Sequence, residues 1–161
     1  MVEVITMDIE TLYFEIRDGG DFLRVSPVKL IDSKSSDSWG RNWIEVVIEI
    51  NASPFRGKFN GIMETYDFEK YKQELKRLYN ELNGSTVFSC LERIVEIKIK
   101  GDSLGHFNAS CKTVDTTSEK KNQLIFELQF DQTYIQGMIN QLNEITQAFP
   151  IFGNIYNIKN E

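Results

Sequence analysis

The sequence has little of what most catalytic sites are built from. It contains one histidine, two cysteines and three prolines in 161 residues. It also lacks the patterns G-x-x-x-x-G-K-[ST], G-x-G-x-x-G, G-x-S-x-G and H-E-x-x-H, which mark phosphate loops, dinucleotide sites, hydrolase elbows and zinc proteases. The one histidine, His106, falls on the polar side of an alternating segment, with no Cys or carboxylate near it at the spacing of metal ligands. We therefore expect a protein that is not an enzyme and that holds no cofactor or metal.

Signals for export and for membrane insertion are missing as well. The first residues lack the basic patch and apolar run of a secretory signal, and no apolar run approaches the roughly 20 residues that span a bilayer. Cys90 and Cys111 lie in apolar, strand-like segments, where buried free thiols are expected. A disulfide stays open, because separation in sequence does not give the distance between two Cα atoms. We expect a cytoplasmic protein that does not enter the membrane.

Positive charge is scarce, and the acidic excess is concentrated at one end. The formal net charge is −6 and the pI is about 4.9, which argues against direct binding to nucleic acid and favours a basic partner. Residues 1–21 contribute −5 of this charge. The acidic residues of this segment are Glu3, Asp8, Glu10, Glu15, Asp18 and Asp21, and its one basic residue is Arg17. Either this segment steers a basic partner, or it serves solubility alone.

Alternation of apolar and polar residues is the dominant pattern and predicts half-buried strands. The composition is 41% hydrophobic, which suits one packed domain over residues 1–161. Alternating segments occur at residues 12–16, 22–31, 44–50, 55–63, 86–90, 94–100, 104–114 and 123–130. In the fourth segment, Gly57 and Gly61 share one face, which indicates a bend or the close crossing of another element.

Two segments change to the helical period. One begins at Asp67, its expected N-cap, and ends at Asn83-Gly84; the other begins at Asp131 and ends before Pro150. Since strands are grouped ahead of each helix, we predict an α+β fold with a mainly antiparallel sheet of seven or eight strands and two amphipathic helices. Both helices follow an aromatic-Asp pair, at an offset of 64 residues. This indicates an internal ββα-type duplication, although any two amphipathic helices would share much of the pattern.

The segment Ser38-Trp39-Gly40-Arg41-Asn42-Trp43 is the most unusual in composition. Tryptophan and arginine are enriched at binding hot spots, so Trp39 and Arg41 are candidates for contact with a partner. The alternative is packing, because Trp43 leads directly into a strand and Trp39 can cover the end of that strand.

The junction Phe130-Asp131-Gln132-Thr133-Tyr134-Ile135, the helix that ends at Phe149-Pro150, and the earlier Phe55-x-Gly57 with its own Asp-capped helix resemble a known family. They are similar to the bacterial immunity proteins of the WapI type, which protect cells against wall-associated polymorphic tRNase toxins. The resemblance spans residues 40–150 or so and leaves out the N-terminal hairpin. It implies a non-catalytic protein that binds and neutralises a cognate toxin of the nuclease type, and it carries over no set of contact residues.

Two hypotheses for function follow. In the first, an immunity protein meets a basic toxin through an acidic surface that includes Glu10, Glu15, Asp18 and Asp21, with a hot spot at Trp39 and Arg41. In the alternative, the aromatic segment makes the protein a small-ligand or carbohydrate-binding module, since exposed rings stack on sugars.

The alternation also predicts which side chains form the core. These are Leu12, Phe14, Ile48, Phe59, Leu75, Ile97, Phe126, Leu128, Ile139 and Leu142. Replacing Leu128 or Leu142 by Ala should lower the free energy of unfolding by about 2–5 kcal/mol, because each change leaves a cavity. Chemical denaturation measures this loss, and a negligible change would contradict the assigned registers.

Overall fold

A computed structural model describes residues 12–36 and 40–153 of the chain. Its strands are β1 (Phe14–Asp18), β2 (Asp21–Leu30), β3 (Trp43–Ala52), β4 (Phe55–Glu64), β5 (Asn83–Ser89), β6 (Val95–Asp102), β7 (His106–Val114) and β8 (Gln123–Asp131). The helices are α1 (Thr65–Glu81) and α2 (Thr133–Ala148), with a 3-10 turn at Gly40–Asn42. Neither α-helix in this part of the chain is long and apolar enough to cross a membrane.

The described strands form two antiparallel sheets rather than one. The first sheet has the order β1-β2-β3-β4 and is followed by α1; the second has the order β5-β6-β7-β8 and is followed by α2. The α+β class, the strand count and the antiparallel pairing are confirmed. Each half repeats four strands and a helix, a longer unit than the ββα unit that the sequence indicates. Alternation locates strands but does not reveal where one sheet ends and the next begins.

One hydrophobic core joins the two halves. Phe14 of β1 meets Tyr71 of α1 edge to face, with ring centroids 5.4 Å apart, and the Tyr71 ring lies 4.8 Å from that of Phe88 in β5. Such aromatic pairs add to the burial of apolar area. The inner face of each sheet is therefore covered by elements of both halves, and each sheet keeps an outer face toward solvent.

Eight of the ten predicted core residues are buried, and Phe59 and Phe126 are half-buried while still packed against the core. Both half-buried rings lie on edge strands, β4 and β8, which have a neighbouring strand on one side only. Cys90 and Cys111 are buried free thiols, as expected. Burial raises the pKa of Cys111 to about 12, so this thiol stays protonated at neutral pH.

The helix ends differ in detail from the prediction. Helix α1 begins at Thr65 with Glu64 as its N-cap, and Asp67 is three residues inside, where its carboxylate accepts the Glu64 N–H at 3.1 Å. The prediction that Asp67 is the N-cap is therefore wrong. The reciprocal hydrogen bonds between Glu64 and Asp67 form a capping box, which places the start of the helix closer to the preceding strand. Asp131 does accept the Thr133 N–H, at 2.8 Å, although α2 begins only at Thr133.

Gly61 lies where the second half crosses the first. A Cβ atom at Gly61 would stand 2.1 Å from the Ile94 Cδ1, whereas one at Gly57 would stand 3.5 Å from the Ile50 Cδ1, an ordinary contact. The predicted close crossing is confirmed at Gly61 and does not extend to Gly57.

Gly61→Ala should lower the free energy of unfolding by about 1–3 kcal/mol through overpacking. The loss should be smaller in an Ile94→Val background, because valine lacks the colliding Cδ1 methyl. Gly57→Ala is the matched control, with little or no loss expected. Denaturant titration of the four variants measures this, and an equal loss at both glycines would contradict the crossing.

Asp67 predicts a pH dependence of stability. Burial is the main cause that raises its pKa from 3.8 to about 6. The hydrogen bond from the Glu64 N–H opposes this rise, the Glu64 charge adds to it, and the Lys70 charge opposes it. The folded protein then binds this proton more tightly than the unfolded chain, so the residue favours folding more as pH falls from about 7 to 4. Relative to an Asp67→Asn variant, the parent should gain stability over that range in denaturation experiments. A constant difference between the two would contradict the shift.

Candidate functional site

The acidic residues of the N-terminal hairpin do not share one surface. Glu10 lies outside the described residues, as does Trp39. Alternation along β1 and β2 places Glu15 on the outer face of the first sheet, and it places Asp18 and Asp21 on the inner side, in line with buried Ile16 and Leu23.

Asp18 and Asp21 tie the hairpin turn to other elements. The Asp18 carboxylate accepts the backbone N–H of Gln129 in β8 at 2.9 Å, and the Asp21 carboxylate accepts that of Ser53 in the turn between β3 and β4 at 2.7 Å. Charge reversal at either position would remove one of these bonds. Asparagine removes the charge at these positions but keeps an oxygen that can accept the same backbone N–H.

Glu15 is held between two arginines. Its carboxylate accepts hydrogen bonds from the Arg17 Nε and the Arg24 Nε, each at 2.7 Å, and its side chain is 9% exposed. The Glu15 backbone N–H donates to the Gln141 side chain of α2 at 2.9 Å. Its charge is therefore neutralised locally and contributes little to long-range steering.

The two arginines also lie over aromatic rings. The Arg17 and Arg24 guanidinium carbons lie 4.7 and 4.8 Å from the Phe22 ring centroid, and that of Arg24 is 4.8 Å from the Tyr13 ring centroid. Cation–π contacts of this kind hold a guanidinium flat on a ring. We call these five residues the arginine–aromatic cluster: Tyr13, Glu15, Arg17, Phe22 and Arg24.

The sequence does contain a signal for this cluster. The Asp18–Asp21 turn fixes the hairpin register, which pairs Arg17 with Phe22 and Glu15 with Arg24. Cross-strand partners on one face lie about 4.5–5.5 Å apart at Cβ, so the contacts could have been predicted by pairing residues outward from the turn.

The pairing continues across β3 and β4. Two rows cross the outer face: Glu15, Arg24, Glu49 and Lys58 in one, and Arg17, Phe22, Asn51 and Arg56 in the other. These rows carry four cations and two carboxylates. Arg56 and Lys58 are exposed, and neither forms an ion pair with another described residue. An open groove of about 530 Å³ lies between Phe22, Asn51 and Lys58. We call the two rows the cationic face.

Beyond the cationic face, the same side of the sheet mixes apolar and polar side chains. Val47 is half-buried, and Val28 and Ile62 are 38% and 42% exposed. Ser26 and Asn60 flank Val47, and the Lys29–Glu45 ion pair lies beside Ile62.

Arg41, Asn42 and Trp43 lie at the other end of the first sheet. β2 has ten residues, and a strand rises about 3.3 Å per residue, so the hairpin turn and Arg41 are about 30 Å apart. The Arg41 guanidinium carbon lies 3.9 Å from the Phe152 ring centroid, and the Asn42 side chain bonds both the N–H and the C=O of Phe152, at 2.7 and 2.9 Å. Trp43 is half-buried at the start of β3. Arg41 thus packs on its own chain, at the opposite end of the sheet from Asp18 and Asp21.

His106 is exposed, as its position in the alternation predicts, and its Nδ1 lies 3.0 Å from the Asp102 carboxylate. Across residues 12–36 and 40–153, no group of three or more His, Cys, Asp or Glu side chains is arranged to hold a metal ion.

The comparison with protein-family models agrees with the sequence resemblance. The model of the Immunity protein WapI-like family matches residues 13–150, a longer stretch than the motifs alone indicate, and one that includes the N-terminal hairpin. No curated protein matches the chain. A solved structure of the plant transcriptional regulator PBF-2 aligns over 92% of this chain and 93% of its own, with 13% sequence identity and a TM-score of 0.40.

Proposed function

The chain belongs to the WapI-like immunity protein family, and from this we propose that it binds a cognate toxin in the cytoplasm and neutralises it without catalysis. Membership is the observation that carries the proposal. A family of immunity proteins implies a toxin as partner, and neutralisation by binding needs a stable, complementary surface rather than a reacting group.

The outer face of the first sheet supports a binding role. It combines aromatic rings and arginines, which are residue types enriched in protein interfaces. Its backbone is fixed by four paired strands over a buried inner face, so little ordering is needed when a partner binds.

A finer part of the proposal concerns the toxin. A nuclease that grips RNA needs a basic surface, and a net charge of −6 would speed its encounter with this protein. Since Arg17 and Arg24 neutralise Glu15, the steering charge falls mainly on residues 1–11, together with Asp18 and Asp21 at the turn.

Binding kinetics test this steering. A variant with Glu10→Lys, Asp18→Asn and Asp21→Asn should associate more slowly with the toxin and show a weaker salt dependence, with a nearly unchanged dissociation rate. Trp39→Ala should do the opposite if Trp39 is a hot spot, raising the dissociation rate with little change in association. Surface-binding measurements at low and high salt separate the two effects.

The control is the parent protein with the toxin domain encoded beside it, in a pull-down and in a growth-protection assay. Failure of the parent to bind or protect would remove the immunity proposal itself. If the parent binds and both variants behave like it, the toxin meets other residues.

A further inference from the structure

We infer that the outer face of the first sheet, centred on the cationic face, is the docking surface for an acidic patch on the cognate toxin. This inference rests on the proposed function and names the contact surface and the chemistry of the partner.

The surface is accessible, and two of its four cations form no ion pair with another described residue. Arg56 and Lys58 stand side by side on the outer side of β4, exposed and without an ion pair among the described residues. The two rows carry more cations than carboxylates, so this part of the surface is positive although the whole chain has a net charge of −6. Carboxylates are the groups that such a patch binds, and arginine binds them in bidentate geometry.

The neighbouring arginines are already held in place. Glu15 and the Phe22 ring fix Arg17 and Arg24 from two directions. A long side chain loses conformational freedom on entering an interface, and here folding has already imposed most of that restriction. The Arg17 Nη1 also donates to the Gly19 C=O at 3.0 Å, so the guanidinium N–H groups that remain on the two arginines can bind a partner carboxylate at low entropic cost.

The shape of the face fits a folded protein. β2, β3 and β4 each have ten residues, so strands about 4.8 Å apart give a flat area of roughly 500 Å² before side chains add relief. This approaches the roughly 800 Å² per partner of a standard interface. At the other end of the face, Val28, Val47 and Ile62 add apolar surface among polar side chains. Protein interfaces also combine apolar and polar groups.

The same residue types would suit single-stranded nucleic acid, which stacks its bases on free aromatic rings. Here the arginines lie over the rings of Phe22 and Tyr13, which leaves less of each ring for a base. The acidic net charge also opposes a polyanion. A carboxylate patch on a protein is therefore the partner that these contacts favour.

A basic toxin and an acidic contact patch are compatible, because the two charges act over different distances. Net charge speeds the last part of the approach, within a Debye length of about 8–10 Å, because salt screens it at larger separations. Paired charges within the interface instead govern dissociation.

The test is a matched pair of charge-reversal variants measured against the co-encoded toxin domain. The first is Arg56→Glu with Lys58→Glu, on the outer face of β4. The control is Lys98→Glu with Lys100→Glu, exposed two residues apart on the outer face of β6 in the second sheet. Both pairs change the net charge equally, and both leave the core untouched, which circular dichroism and thermal melting verify.

We expect the β4 variant to raise the Kd for toxin by about tenfold or more, mainly through faster dissociation, because like charges then face each other. The Kd of the β6 variant should stay within about twofold of that of the parent.

Equal binding by the parent and the β4 variant would overturn the assignment of this surface and leave the proposed function standing. A parent that binds no toxin would instead remove the proposed function. Equal losses in both variants would show a general charge effect and overturn the surface. Binding of the parent to a single-stranded RNA oligonucleotide, lost in the β4 variant, would assign the face to nucleic acid instead.

Discussion

The contact between Phe14, Tyr71 and Phe88 is the constraint on which the rest of the structure depends. It brings together the first strand, the first helix and the fifth strand, so neither four-stranded sheet buries its inner face with its own helix alone. Once both inner faces and both helices are committed to one core, each sheet has a single face left for solvent. A fold of this kind separates stability, on the inner faces, from contact with partners, on the outer ones.

The arginine–aromatic cluster follows from this separation. Phe14 and Ile16 are fully buried, and because side chains alternate along a strand, Glu15 and Arg17 are forced outward between them. The buried neighbours fix the backbone, and the fixed backbone sets the spacing of the cations and rings above it. A substitution in the core below could therefore weaken partner binding without touching the surface, by loosening the strands that carry it.

Most of the fold could be predicted from the sequence, because alternation and helical stripes are local. These patterns predict the strands and helices, but alternation does not show which positions of an edge strand the rest of the core covers. Phe59 and Phe126 are half-buried, although Met63 and Leu128 on the same strands are buried. The partition into two sheets, the crossing at Gly61 and the bond from Gln129 to Asp18, which joins residues 111 apart, depend on long-range packing. The candidate site is harder to predict from the sequence. Whether the Glu15 charge is neutralised depends on its cross-strand neighbours and not on the charge of its own segment.

Charge summed along a segment is therefore a poor guide to the charge that a partner meets. Residues 1–21 carry −5 in sequence, yet β-pairing places Arg24 against Glu15 and brings Lys58 and Arg56 into the same two rows, while Asp18 and Asp21 lie toward the other side. In a sheet, side chains that are adjacent in sequence point to opposite faces, and the pairing register places residues from distant parts of the chain side by side. An acidic protein can in this way present a cationic contact surface, and for an immunity protein the sign of that surface, rather than the net charge, determines which part of a toxin it can cover.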